Sequence, residues 1–413
     1  MTATVFSSFA LPCGLTLKNR IVKAAMEENL AADNFLPGQA LFTLYERWAQ
    51  GGAGLIITGN VMVDHQAMTG PGGVALEADT DLAPFQQWAK LAKQNDTKIW
   101  MQINHPGRQV YKNMQGKALA PSAKALDLGS FSKLFAIPKA MHHADIADVI
   151  QRFVTTAKLA EQAGFDGVQI HAAHGYLLSQ FLSPLTNLRD DEWGGSLANR
   201  ARLLANIISQ VKAEVSAEFC VAVKLNTADF QRGGFDVDDA NAVVAMLETL
   251  GVDCIELSGG SYEAPAMQRT TADERTLARE AYFLEFAQAM VKQTTVPLML
   301  TGGIYRFETA QQVLDEGMSL VGMASALGAQ PDLPNIWQAQ PEHVGRLPNI
   351  TWSNKPLKGL ATMAMVKRWL RENSQGRPAT HHASAVWTLL KDQWFKAKQT
   401  KRYRQQCQVK RAK

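Results

Sequence analysis

Cysteine is scarce in this chain of 413 residues: there are four, at 13, 220, 254 and 407, and no two stand in a C-x-x-C pair. That spacing gives no support for an iron–sulfur cluster or a structural zinc site, and no metal is expected. Sparse cysteine fits a reducing compartment, so the expected location is cytoplasmic. Charge is also modest. Charged residues make up 19% and the formal net charge is +4, with most of the excess between Lys391 and Lys413. This balance gives no reason to expect a nucleic-acid partner; a small-molecule substrate is expected instead. No apolar run reaches the roughly 20 residues that spanning a bilayer requires. Met1 to Pro12 lacks a basic region and a sustained apolar core, so no signal peptide is read there. Hydrophobic residues make up 46%, which is ordinary for a folded enzyme and argues against disorder.

What is present is a repeat of short apolar strand, loop and amphipathic helix. Candidate strands are Ile21–Met26, Gly54–Thr58, Lys98–Ile103, Gly167–Ala172, Cys220–Leu225, Cys254–Ser258, Pro297–Thr301 and Leu320–Ala324. Candidate helices between and after them are Gln39–Gln50, Leu82–Gln94, Asp145–Ala163, Leu197–Val215, Val237–Leu250, Thr276–Gln293, Phe307–Glu316 and Leu333–Ala339. Eight such units in this length predict an α/β protein, a closed (β/α)8 TIM barrel over residues 1–340. Three loops are long: 104–144, 174–196 and 259–275. All three are expected at the C-terminal face of the barrel, where they can wall or cover a site. After Pro341 the pattern stops. Residues 341–413 read as a C-terminal helical extension, with helices over Lys358–Asn373 and Ala385–Lys398 and then a frayed basic tail. Such a tail either simply adds solvation or makes peripheral contact with an anionic membrane.

The chemistry gathers at the strand ends. Gly167–Ala172 runs into His171, His174 and Tyr176. The two histidines read as metal ligands, as satisfied core histidines, or as donors to a substrate oxygen with Tyr176 as proton source; the third reading is preferred. Gln102 and Lys224 point into the same mouth, since the neighbours Val221, Val223 and Leu225 are apolar. Thr301-Gly302-Gly303 and Gly322, on the last two strands, can bring backbone N–H groups close to a phosphate. A lysine in a phosphate-binding barrel also allows Schiff-base lyase or aldolase chemistry at Lys224.

His171-Ala172-Ala173-His174-Gly175-Tyr176-Leu177, Gln180-Phe181-Leu182-Ser183-Pro184, Asn187, Leu17-Lys18-Asn19-Arg20-Ile21-Val22, Gln102 through Arg108, and Trp193-Gly194-Gly195-Ser196 together resemble the Old Yellow Enzyme family of FMN-dependent oxidoreductases. The resemblance runs from about residue 5 to 340 in the family's motif order. It implies a TIM barrel with FMN at the strand C-termini, reduced by NADH or NADPH and delivering hydride to an activated alkene. By resemblance His171 and His174 grip the substrate carbonyl oxygen and Tyr176 protonates the α-carbon. Ala24, Ala25 and Met26 correspond to backbone contacts to the flavin edge, Gln102 to the pyrimidine contact and Lys224 to the charge beside N1 and O2, with Asn60 also among the cofactor contacts. Gly302, Gly303 and Gly322 correspond to the phosphate cradle. A non-catalytic flavin-binding or membrane-recruited protein that uses the basic tail is an alternative, and a homo-oligomer is allowed.

The departures are specific. Met323 stands where relatives often carry a phosphate-binding arginine, which leaves the phosphate to backbone groups or other cations. Asn29 stands where some members place a tyrosine. Glu27 replaces the cysteine or threonine of many relatives. An ionised carboxylate near the flavin opposes added negative charge, so a lowered reduction potential is expected. The Glu27→Gln variant should therefore titrate at a higher potential than the parent; an unchanged midpoint would refute this.

Overall fold

Strands β1 (Ile21–Lys23), β2 (Leu55–Ile57), β3 (Lys98–Asn104), β4 (Gly167–Ala172), β5 (Cys220–Asn226), β6 (Cys254–Ser258), β7 (Leu298–Thr301) and β8 (Leu320–Met323) form one parallel ring in chain order. Val22 pairs with Leu55, Leu55 with Lys98 and Gly167 with Trp100, and Val321 on β8 pairs back to Ile21 on β1. This is a closed (β/α)8 barrel. The computed structural model describes residues 3–265, 281 and 284–412. All eight expected strands are present, with ends shifted by up to three residues. The largest shift is in β1, which stops at Lys23 instead of Met26.

The sheath is made by α1 (Gln39–Gln50), α2 (Ala83–Ala92), α3 (His143–Gln162), α4 (Leu197–Glu214), α5 (Val237–Thr249), α6 (Leu284–Val291), α7 (Phe307–Asp315) and α8 (Leu333–Ala339). α3 begins two residues before the expected Asp145. His142 caps it, and the Asp145 carboxylate accepts from the His142 N–H at 2.9 Å, a reciprocal capping box. The first part of the expected Thr276–Gln293 helix, like most of the 259–275 loop, lies outside the described residues.

Strand alternation sorts the barrel interior into two zones. At the N-terminal end Val22, Leu55, Trp100, Cys220, Met299 and Leu320 pack together. Leu11 and Leu17, from a hairpin pairing Phe9–Ala10 with Thr16–Leu17, plug this end. Toward the C-terminal end the inward positions become polar: Gln102, Gln169, Lys224 and Glu256, all buried. An apolar plug below and a polar layer above leave one mouth for chemistry.

The extension forms α9 (Lys355–Asn373) and α10 (Ala385–Ala412). The expected frayed tail is not observed: α10 continues as helix through Ala412. The reason lies in its inward face. Gln399 donates to the Asn29 carbonyl at 2.6 Å and Tyr403 to the His65 carbonyl at 3.0 Å. Arg402 pairs with Asp33 at 2.8 Å and Lys410 with Glu77 at 3.1 Å. Part of the basic excess is therefore spent on the barrel itself. Among the described residues no helix is long and apolar enough to cross a membrane.

Candidate active site

Register builds the floor of the mouth. It sets His171 beside Lys224 and Lys224 beside Glu256 on adjacent strands. The Lys224 ammonium lies 2.7 Å from one oxygen of Glu256, which also accepts from the Thr301 hydroxyl at 2.7 Å. The other oxygen accepts from the Gln169 amide at 2.7 Å, and Gln169 in turn accepts from Gln102 at 2.7 Å. Glu256 is fully buried, so each bond works in a low-dielectric setting where an unpaired carboxylate would be costly. Gln102 is thus committed to Gln169. Lys224 reaches the cavity while anchored from below.

The histidines sit at the edge of this floor. Their rings meet edge to face at 5.0 Å, and His171 meets Tyr176 in the same way at 4.9 Å. The His171 Nδ1 accepts from the Ala173 N–H at 3.2 Å, which leaves Nε2 as the N–H donor. The His174 Nε2 bonds the Ser258 hydroxyl at 2.7 Å. His174 adopts a left-handed backbone (φ 60°), unusual for a side chain of this size. Three bonds hold it there: its N–H to Asn226 at 3.1 Å, Gln109 to its carbonyl at 3.1 Å, and the Ser258 bond. Gly175 follows at φ +72°, where a Cβ would come within 2.8 Å of Ser261.

Burial holds both imidazoles well below their usual range, and Lys224 adds to the effect. Burial also pushes His105, at the root of the loop after β3, down to about 4. In the unfolded chain such rings take a proton near 6.5. Below that pH the unfolded state binds more protons than the native state, so stability is lost as pH falls and is fully present above it. The urea midpoint should therefore drop between pH 6.5 and about 4, and drop less in His171→Asn. A midpoint that stays flat over that interval would contradict the neutral, buried assignment.

Tyr176 is 6% exposed, with its oxygen 3.2 Å from that of Tyr262 in the loop after β6. Burial, reinforced by Glu27, raises the Tyr176 phenol above its ordinary range, so it stays protonated. Burial also raises Tyr262 and Tyr111. The Glu27 carboxylate accepts from Thr69 at 2.5 Å. That loop is pinned by Glu263, which pairs with Arg108 from the loop after β3 at 2.5 Å and accepts from the Asp127 N–H at 2.8 Å.

A cavity of about 330 Å³ is lined by Lys224 together with Ala25, Met26, Glu27, Gly302, Gly303 and Ser325. It fits the flavin that the resemblance implies. Lys224 brings a cation to its lining, and Gly303, also in the lining, has φ +67°. Gly322 lies in β8, where a Cβ would fall 2.0 Å from the Thr301 hydroxyl; it leaves room for the floor and does not border the cavity. Met323 is buried in the apolar sheath and its carbonyl is taken by the Ala24 N–H at 2.9 Å. Of the predicted site residues, Ala24, Asn60, Gln102, His171 and Tyr176 also lie outside the cavity lining; Asn60 faces Tyr176.

Sequence reasoning missed four groups that the fold brings here. Glu256 lies inside β6 with no local signal beyond being a charge in an apolar strand. Tyr262 and Tyr111 come from loops. The extension closes the site from above, with Gly359, Met363 and Lys367 of α9, spaced by four residues, on one stripe facing the cavity.

A profile of the NADH:flavin oxidoreductase / NADH oxidase family matches residues 5–342. The chain is 38% identical over 346 residues to an NADH-dependent flavin oxidoreductase of Hypocrea jecorina, covering 78% of this chain and 86% of that protein. Among solved structures, an old yellow enzyme homologue from Zymomonas mobilis superposes with a TM-score of 0.70 at 27% identity, covering 83% of this chain and 94% of that one. A 2-naphthoyl-CoA reductase shares the fold with a TM-score of 0.80 at 22% identity, over 90% of this chain and 58% of that one.

Proposed function

This chain belongs to the NADH:flavin oxidoreductase / NADH oxidase family, and from that premise we propose that it reduces the carbon–carbon double bond of an alkene conjugated to a carbonyl. It is an oxidoreductase with FMN as cofactor and NADH or NADPH as reductant. When bound, FMN supplies a two-electron carrier that accepts hydride from the nicotinamide and passes hydride to the alkene β-carbon.

The observation that carries the reading is the single cluster of His171, His174 and Tyr176 rings, of which His174 lines the cavity. Two neutral imidazoles can donate to the substrate carbonyl oxygen. They stabilise the negative charge that grows there without themselves giving up a proton. Fixed donors in a buried site do this better than water, because they need no reorientation as charge develops. The Tyr176 O–H gives its proton to the α-carbon. A phenol held this far toward its protonated form is a weak acid, and it suits only a strongly basic, carbanion-like acceptor. Tyr262, in contact with the Tyr176 oxygen, is placed to return a proton afterwards. The lyase alternative is disfavoured because Lys224 stands in a buried ion pair rather than as the free amine that Schiff-base chemistry needs.

The visible spectrum of the purified protein tests the reading. A flavin spectrum should bleach on anaerobic addition of NADPH or NADH and recover on addition of cyclohexenone. Bleaching without recovery would remove the alkene from the proposal. A protein that cannot take up added FMN would remove the whole of it.

A further inference from the structure

Beside the flavin cradle lies a larger cavity of about 470 Å³, and Glu27, Gly359, Met363 and Lys367 border both. Its wall is largely aromatic and aliphatic: Tyr111, Phe131, Phe135, Tyr262 and Phe395. Cations project into it from the extension. Arg371 is already neutralised by Asp392 at 2.9 Å. Lys367 and Lys396 have no carboxylate within ion-pair distance among the described residues. Lys396 lies instead over the face of Tyr111, its nitrogen 3.6 Å from the ring centroid, and is partly buried.

Asn29 borders the same cavity and is 9% exposed. Both polar atoms of its side chain are buried without a hydrogen-bond partner. A native chain rarely leaves a buried amide unsatisfied, and such a group points to a ligand. The amide is held in place: Asn29 has φ 57° and its carbonyl accepts from Gln399 of α10 at 2.6 Å. An unsatisfied amide and two ammonium groups with no carboxylate at ion-pair distance, in a mostly apolar cavity that Glu27 also lines, together describe a recognition site for a negative charge.

We propose that Lys396, Lys367 and the Asn29 amide form an anion subsite that grips a carboxylate or phosphate oxygen remote from the reacting carbon. This rests on the reading that reductant and substrate enter beside the flavin. The anion can belong to the pyrophosphate of the reducing dinucleotide or to a carboxylate on the alkene substrate. The extension would then set specificity as well as cover the barrel.

Two matched pairs separate these sources in the FMN-loaded enzyme. Flavin reduction is followed with NADH and with 1-benzyl-1,4-dihydronicotinamide, which carries no phosphate. Reoxidation is followed with an enone bearing a distal carboxylate and with its methyl ester. Lys396→Met should weaken the charged member of a pair by roughly tenfold or more, as loss of a charge-assisted hydrogen bond does. The neutral member should lose no more than about twofold on the same grounds. Loss confined to NADH assigns the subsite to the dinucleotide; loss confined to the carboxylate assigns it to the substrate. Equal loss for charged and neutral members, or no loss in either pair, overturns the proposal. If the parent enzyme reduces neither enone, the alkene reading fails by itself, while the NADH pair still decides whether the subsite exists.

Discussion

Tyr176→Phe should lower the rate of reoxidation by an enone by roughly 10²–10⁴-fold, the usual worth of a placed general acid. Flavin reduction by NADH or NADPH should be little changed, because that half-reaction transfers a hydride and requires no proton from the protein at the substrate carbon. The substitution deletes one oxygen and keeps the ring. The edge-to-face contact with His171 at 4.9 Å therefore survives, and loss of packing cannot explain a large kinetic effect. Stopped-flow traces of the two half-reactions, recorded separately, make the measurement. A variant reoxidised at the parent rate would mean that the proton comes from elsewhere, and solvent reaching the α-carbon would be the first alternative. A variant slowed equally in both halves would mean that Tyr176 shapes the cavity instead of donating. The Tyr262→Phe variant adds a check. It breaks the 3.2 Å contact between the two phenols and leaves the donor itself in place. A smaller slowing of reoxidation is expected there, because only return of the proton is impaired.

Lys224→Met should cost stability and cofactor affinity together. Removing one partner of a buried ion pair leaves the other charge uncompensated, a loss of about 3–5 kcal/mol in general. Here the low end of that range is expected, since Glu256 keeps its bonds from Gln169 and Thr301. FMN affinity is expected to fall by roughly 10- to 100-fold, the worth of the charged contact to the flavin edge that the resemblance assigns to Lys224. The double variant Lys224→Met/Glu256→Gln separates the two effects. A neutral amide needs no counter-charge, so most of the stability should return, while the weak FMN binding should persist. Urea titration of the apoprotein reads the first quantity and flavin fluorescence quenching the second. If Lys224→Met binds FMN as tightly as the parent, Lys224 serves the barrel floor alone.

The architecture was written locally and could be read that way. Strand and helix periods repeat within windows of a few residues, so the eight units, the bounds of β4 and the phase of α3 follow from side-chain order. The inward aim of Lys224 was legible for the same reason, because Val223 and Leu225 flank it and a strand alternates faces. His171, His174 and Tyr176 lie within six residues at one strand end, and their convergence needed only the strand. The resemblance to the Old Yellow Enzyme family rests on those same short motifs, and the profile match over residues 5–342 spans the barrel they define.

What pairs across the chain was decided only by the fold. Glu256 meets Lys224 because β5 and β6 are adjacent at one particular register, and no pattern within either strand states that register. Tyr262 reaches Tyr176 across 86 residues of sequence, through a loop pinned by the Arg108–Glu263 pair. Asn29 and Gln399 are 370 residues apart. The continuation of α10 through the basic tail has the same origin. Its charges looked like a solvated end because their partners, Asp33 and Glu77, lie in the barrel. Periodicity is set by backbone geometry over a few residues and can be read from one segment. Contact between distant segments is set by how all the layers pack, and it placed the counter-charge, the second tyrosine and the roof of this site.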